Sequence, residues 1–495
     1  MTRSLVTTAL LGATLLAGCT VGPNYHAPAI PVPPAFSEAQ PAAPGATIDP
    51  AHWWTAFGDP TLTSLVERAL KDSPNIAIAG SRVRQARLQE IAAHAIGKPT
   101  VDATGNVTHV EFSKNAGFSS LASLFSGGSS GGSSGGSGSS GGIALPGSGI
   151  TTYAAGFDAS WEIDLFGGGR RSVEGALART DAAIWSQRDA AVTLGAEVAQ
   201  AYFALRLDQA QIAVVEDELL RQRRSLQIAN NVAKVGLSPQ IDVTRQQQQI
   251  TTLEARLEPL RADLRVRIHA IGILLGTQPE SLTAELTAPL PALQAVPIVP
   301  AGLPSDLLRR RPDIRMAERN LAASTADIGV AVADLYPKFQ LTGMAELLST
   351  SLASLFSRDS IQATGVGGVT FPLLDWGRRR ATVGVRKEDR EQAYLQYQAT
   401  VLGALRDVED PLARLDAERR RNAALRRAVA DAEATNHAVY AQYSAGFVAQ
   451  NSLIDAQVTV LSAREQLVAS DAQLRQDTAA LFKAIGGGWE EPKAG

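Results

Sequence analysis

The sequence predicts a mainly α-helical protein with a membrane β-barrel part, built from four strands and several long coiled-coil helices per chain. Three observations carry this. From Tyr153 to Ile163, apolar Tyr153, Ala155, Phe157, Ala159, Trp161 and Ile163 alternate with small or polar Ala154, Gly156, Asp158, Ser160 and Glu162, giving one greasy and one wet face. After the turn Phe166-Gly167-Gly168-Gly169-Arg170, no proline interrupts 172–235, and Val198, Leu205, Ile212, Leu219 and Leu226 recur at heptad spacing. A helix of that length would reach about 96 Å and has no compact core to lie on, so it must pack on other long helices. Finally, the chain is duplicated: Ser73-Pro74-Asn75-Ile76 is echoed by Arg311-Pro312-Asp313-Ile314, Phe166-Gly167 by Trp376-Gly377, and Val235-Gly236-Leu237 by Ala445-Gly446-Phe447.

Taken in order, residues 1–18 read as an export signal: a basic start at Arg3, an apolar run from Leu5 too short to span a bilayer, and small residues at Ala17-Gly18. Cys19 is the only cysteine, so no disulfide can form within the chain; Leu16-Ala17-Gly18-Cys19 resembles the lipobox of bacterial lipoproteins, in which the cysteine carries lipid. Residues 19–60, rich in proline and alanine, read as a lipid anchor and extended tether.

The first repeat, 61–275, is expected to hold a helix at about 76–96, strands at 100–111 and 151–163, the long helix 172–235 and a returning helix 239–275. A proline-rich segment, 276–304, separates it from the second repeat, 305–485, and a short tail covers 486–495. The second repeat should carry a helix at 314–335, strands at 338–348 and 361–373, the long helix 379–444 and a returning helix 451–485. Pro259 and Pro411 fall inside helix patterns and should kink or shift them. Ser120-Leu121-Ala122-Ser123-Leu124-Phe125-Ser126 recurs unchanged at Ser351–Ser357, and the offset between copies shortens just after it. The first copy therefore carries extra residues there, the Gly/Ser tract 127–142, which is a solvent-facing loop insertion and not a phosphate-binding loop.

Four strands cannot close a membrane barrel, whose smallest common form has about eight, and an open edge in lipid leaves backbone groups unpaired. The chain must oligomerise. A dimer would pool eight strands and a trimer twelve, and only the larger leaves a useful lumen.

Leu16-Ala17-Gly18-Cys19-Thr20-Val21-Gly22-Pro23, Trp53-Trp54 followed by Phe57-Gly58-Asp59-Pro60, Arg310-Arg311-Pro312-Asp313-Ile314, and the tail Ala484-Ile485-Gly486-Gly487-Gly488-Trp489 together resemble the TolC family of outer-membrane efflux lipoproteins, nearest its NodT-type subgroup. The resemblance covers nearly the whole chain. It implies a homotrimer in the outer membrane of a Gram-negative bacterium, with a twelve-stranded β-barrel, a periplasmic α-helical barrel and a lipid on Cys19. It also implies a periplasmic adaptor and an inner-membrane RND pump as partners, and passive exit of small molecules such as drugs. A duct for type I protein secretion, which family members also serve, is the alternative.

The resemblance further assigns roles to the two helical turns. Gly236, Leu237 and Ser238 in the first and Gly446 and Phe447 in the second match positions where the adaptor docks. The first turn is also sound by itself, with a helix-ending glycine, a serine cap at Ser238 and Pro239 at the first helical position. Ser452 and Asp455 hold two places that are usually acidic in the family and that narrow the periplasmic entrance. Three copies of Asp455 about an axis would favour cations there. Asp242 and Tyr443 match positions that latch the entrance, while Val448 stands where some relatives carry arginine; Asp242 also suits the positive end of a helix on its own account.

Catalysis finds no support. The six histidines are scattered without metal-ligand spacing, no GxxxxGK[ST] occurs, and no nucleophile lies near a base. A net charge of −3 with 19% charged residues gives no footprint for nucleic acid. Cofactors other than the lipid are not expected. Trp53-Trp54 reads as packing, Trp161 and Arg378-Arg379-Arg380 as membrane-interface residues, and Arg419-Arg420-Arg421 with Arg426-Arg427 as solvated or paired with Asp416 and Glu418.

Overall fold

The computed structural model describes residues 20–38, 49–111, 149–236, 239–288, 294–299, 302 and 304–489. The expected signal 1–18, Cys19, the Gly/Ser loop 127–142, the first heptapeptide 120–126, and Leu237 and Ser238 lie outside the described residues. The helices are α1 (Pro60–Asp72), α2 (Pro74–Ala95), α3 (Gly168–Lys234), α4 (Gln240–Leu275), α5 (Thr283–Thr287), α6 (Pro304–Arg310), α7 (Pro312–Ala333), α8 (Arg378–Ser444) and α9 (Gln450–Ala484). The strands are β1 (Thr100–Glu111), β2 (Gly149–Ile163), β3 (Lys338–Ser349) and β4 (Ile361–Thr370). Two compact units result: Met1–Asn24 with Ile91–Glu174 and Thr325–Lys387, and Tyr25–Glu90 with Gly175–Ser324 and Glu388–Gly495.

The first unit contains the sheet, ordered β1-β2-β3-β4 with every pair antiparallel. Directly paired residues share a face. The register Ala103↔Phe157, Phe157↔Ala345 and Ala345↔Ala363 therefore extends the alternation expected for β2 across all four strands. One face carries Val101, Val107, Phe157, Trp161, Leu341, Leu347, Ile361 and Val369; the other carries Asp102, Thr104, Asp158, Glu162, Thr342, Glu346 and Gln362. Among the described residues β1 and β4 are the edges, each with a row of backbone groups that no other strand pairs. β4 stops at Thr370, short of the expected 373, because its partner Lys338 is the first residue of β3 and Pro372 has no N–H to donate.

The same unit holds the N-terminal strap in place. The Val21 N–H donates to Phe166 O (3.1 Å). Arg171, 4% exposed, donates to Val21 O (3.2 Å), Gly22 O (3.3 Å) and Asn24 Oδ1 (2.7 Å). Gly22 has φ +90°, and a Cβ there would sit 2.6 Å from the Gly329 Cα, so only glycine fits. Helix α3 begins at Gly168, earlier than the expected 172, because the Asp164 carboxylate accepts from the Arg170 N–H (3.0 Å) and organises the first turn.

In the second unit α1 starts where the sequence Asp59-Pro60 prescribes. The Asp59 carboxylate accepts from the Thr61 and Leu62 N–H groups (2.9 and 3.3 Å), with Pro60 in the first turn. Its second oxygen accepts from the Tyr202 hydroxyl (2.6 Å), whose pKa is raised by burial and then by that carboxylate. Trp53 and Trp54 are fully buried, and Trp53 stacks on Phe482 with ring centroids 5.1 Å apart. The tryptophan pair is core. A further cluster, Val215, Leu219, Ile250, Leu253, Leu257 and Leu461, joins α3 and α4 to α9, with Leu219 of the expected heptad at its centre. Helices α4 and α8 run on through Pro259 and Pro411.

Of the arginine runs, Arg420 pairs with Asp416 (2.6 Å) and Arg421 with Glu418 (3.2 Å). Arg426 instead crosses to Asp471 of α9 (2.8 Å). Arg311, itself buried, is the hub of a cluster with two half-buried carboxylates. It forks onto Asp313 (3.0 and 2.6 Å), reaches Asp407 (3.1 Å) and donates to Ala484 O (3.0 Å).

Candidate functional site

Helices α3 and α8 both run out into a left-handed glycine, Gly236 and Gly446. Gly446 has φ +79°; its N–H donates to Tyr443 O (3.0 Å), and the Phe447 N–H reaches back to Gln442 O (2.9 Å), which satisfies the last carbonyls of α8. Gly236 repeats the arrangement, with φ +75° and its N–H on Ala233 O (3.0 Å). A Cβ at either glycine would meet nothing within 4 Å, so the backbone conformation, not crowding, demands glycine. Phe447 is 82% exposed at the second turn. Pro239 departs from expectation: it is the cap residue, with extended ψ of 146°, and the helix opens at Gln240.

Asp242 lies in the first turn of α4, 3.7 Å from the Arg245 guanidinium. Burial pushes the Tyr443 hydroxyl up, and the negative charge of Asp242 adds to it, so the structure brings this pair together across the two hairpins. Ser452 and Asp455 lie elsewhere, one turn apart on the exposed face of α9, while Leu453, Ile454, Ala456 and Gln457 form its buried face.

Sequence reasoning missed the polar layer between these groups. Gln222, Gln246, Gln450 and Gln457 are all buried. Gln450 Nε2 donates to Gln246 Oε1 and to Asp242 O (both 3.2 Å). Gln246 donates to the Gln222 side chain and to its carbonyl (3.2 Å), and Gln222 donates to Gln457 Oε1 (2.9 Å) and Glu218 Oε1 (2.7 Å). Farther along, Arg464 of α9 ties Asp217 (3.0 Å) to Glu433 (2.7 Å). The signal was available: Gln246 stands one heptad before Leu253, in phase with the apolar seam.

Among the described residues no group of three or more His, Cys, Asp or Glu could hold a metal ion, and no helix is long and apolar enough to cross a membrane. A sheet greasy on one face, open at both edges and carried in a chain of long paired helices defines a class: membrane channels whose barrel is pooled from several chains.

The chain belongs to the outer membrane efflux protein family, whose pattern fits residues 65–277 and 303–487. Nodulation protein T of Rhizobium leguminosarum bv. viciae is 30% identical over 484 residues, 97% of this chain and 92% of that protein. The cation efflux system protein CusC of Escherichia coli is 27% identical over 483 residues, 97% of this chain and 98% of its own length. The solved structure of the outer-membrane channel OprN superposes with a TM-score of 0.82 at 29% identity, covering 95% of this chain and 100% of that one. The fold is TolC-like, and the protein is an efflux channel of the Gram-negative outer membrane.

Proposed function

We propose that the chain is one protomer of a homotrimeric exit duct, the outer-membrane member of a tripartite efflux system. Three sheets pool twelve strands into one barrel, the paired helices form a periplasmic tube, and small molecules such as drugs pass through passively. The observation that carries this reading is the sorting of all four strands into one apolar and one polar face, with both sheet edges open. Unpaired edges in lipid cost several kcal/mol per group, and only neighbouring copies can supply partners.

In this reading an inner-membrane RND pump delivers cargo through a periplasmic adaptor that docks on Gly236, Leu237, Ser238, Gly446 and Phe447. The exposure of Phe447 and the open space around both glycines support docking there. Asp455 and Ser452, exposed on one face of α9, narrow and charge the entrance, and Asp242 with Tyr443 latches it. Cys19 carries the lipid; the strap that begins at Thr20 and is pinned by Arg171 supports a fixed anchor. No catalytic step belongs to this component. Likeness to efflux proteins supports efflux over protein secretion.

The test is drug susceptibility in a deletion strain complemented with wild type, Gly446→Trp or Asp455→Ala. Gly446→Trp is expected to reach the membrane as normal trimers and yet fail to restore resistance. Full resistance would remove the second turn from docking. Asp455→Ala should weaken cation preference in planar bilayers, and unchanged selectivity would take Asp455 out of the entrance ring.

A further inference from the structure

We propose that the open edge of β4 pairs with β1 of a neighbouring copy in one fixed register, Thr370 opposite the partner's Thr104, and that this seats Trp376 on the partner's Lys98. The register rests on the pooled barrel proposed above and adds to it the side chains that meet at the seam. Its source is the duplication. The two copies stand 238 residues apart from Pro74 and Pro99 to Pro312 and Pro337, and 210 apart from Gly167 to Gly377. Applied to the first hairpin, these offsets turn Thr100↔Ser160 into Lys338↔Thr370 and Thr108↔Thr152 into Glu346↔Gln362, and both are pairs of the second hairpin. One hairpin has been used twice. The joint between the hairpins, β2 on β3, has Ser160↔Thr342 and Phe157↔Ala345. The same offsets carry it to Thr370 against the partner's Thr104 and Gly367 against the partner's Val107. Both new pairs keep their faces, polar on polar and apolar on apolar, which a slip of one residue would reverse.

The residues just past the ladder show what the joint needs. After β2, Phe166 stacks on Tyr336 with ring centroids 4.7 Å apart and planes 21° from parallel, and Ile163 and Phe166 are half-buried. The second copy makes the same turn. Gly377 repeats Gly167, with φ +84° against +83°, and the Ala381 N–H donates to Gly377 O as the Arg171 N–H does to Gly167 O (both 2.9 Å). Yet there Leu373 is 85% and Trp376 91% exposed, because β4 is the edge of the sheet. Trp376 is also the one non-glycine in the left-handed region among the described residues, at φ +54°, a conformation that costs a bulky residue. A strained indole left in solvent has nothing within its own chain to offset that cost. The offsets place the partner's Lys98 where Tyr336 stands in the first joint. Lys98 is exposed, and an ammonium over an indole face is drawn to the ring.

Disulfide trapping of the full-length protein in outer membranes tests the register. Directly opposed residues lie within reach of a disulfide, and diagonal ones, about 7–8 Å apart, do not. Thr370→Cys with Thr104→Cys is expected to give bands of two and three chains, about tenfold stronger than Thr370→Cys with Asp102→Cys or Asn106→Cys, the slips that keep the faces. Each single variant controls for Cys19. A bridge at a slipped pair instead, or trimers with none of the three bridges, overturns the register and leaves the pooled barrel standing. A chain that runs as a monomer removes both. For the seat of Trp376, Trp376→Ala and Lys98→Ala should each speed thermal dissociation of the trimer about fivefold, and the double variant no further. Additive effects, as from an indole that faces lipid, or no effect at all would overturn that contact.

Discussion

Arg311 shows how much a single side chain can organise. Burial works against its charge, yet the forked bond to Asp313 and the contact with Asp407 raise its pKa further, so it stays charged. Arg311→Ala would remove the ties to Asp313, Asp407 and the Ala484 carbonyl, although Asp407 keeps Arg406 (3.1 Å), and is expected to cost about 1–3 kcal/mol, read as a lower denaturation midpoint. Arg311→Lys should recover little of it, because an ammonium cannot fork. In the sequence Arg311-Pro312-Asp313 stands as a repeat landmark and as part of the family resemblance, with no sign of the ion-pair hub. Asp407 and the Ala484 carbonyl come from α8 and α9, and no local pattern announces partners so distant along the chain. Asp477 gives the opposite case. Burial pushes its carboxyl above the ordinary range, against the Gln473 bond and Arg414 that pull it down. The folded protein then holds more protons than the unfolded chain between the ordinary value of about 3.9 and the raised one. Stability falls as pH rises through that interval, and the penalty is complete at neutral pH. Asp477→Asn should raise the melting temperature at pH 7, with the gain fading below about pH 4.

At the scale of elements, periodicity was a good guide wherever one face is buried or greasy. The alternation in β2 and the heptads of α3 were readable because each residue type repeats with the geometry of its element. β4 was harder, since Gly365, Gly367 and Gly368 carry no side chain to signal a face; its register against β3 supplies the assignment. Ends were misjudged where a side chain acts over a few residues, as Asp164 does at the start of α3 and Pro239 at the cap of α4. The sorting of faces makes a sharp prediction. Phe157→Arg, on the apolar face, is expected to destabilise folding into bilayers by about 2–4 kcal/mol, whereas Ser160→Arg on the polar face should fold nearly as wild type. Urea titration of the protein folded in liposomes separates the two.

For the whole molecule the open edges decide the assembly. Within one chain β1 and β4 are separated by two strands, which puts them about 14 Å apart, beyond the reach of a disulfide. A cysteine at Thr104, tested against cysteines scanned along β4, should therefore close only between chains. Denaturing gels should show bands of two and three chains, and an internally closed single chain would contradict the pooled barrel. The strap has a consequence of its own. Gly22 rests on Gly329 backbone to backbone, and Arg171, which also lies against Gly329, grips the segment through the Val21 and Gly22 carbonyls. A mooring line made fast to its cleat has no slack: from Val21 to Asn24 the segment cannot slide without breaking the bonds of Arg171.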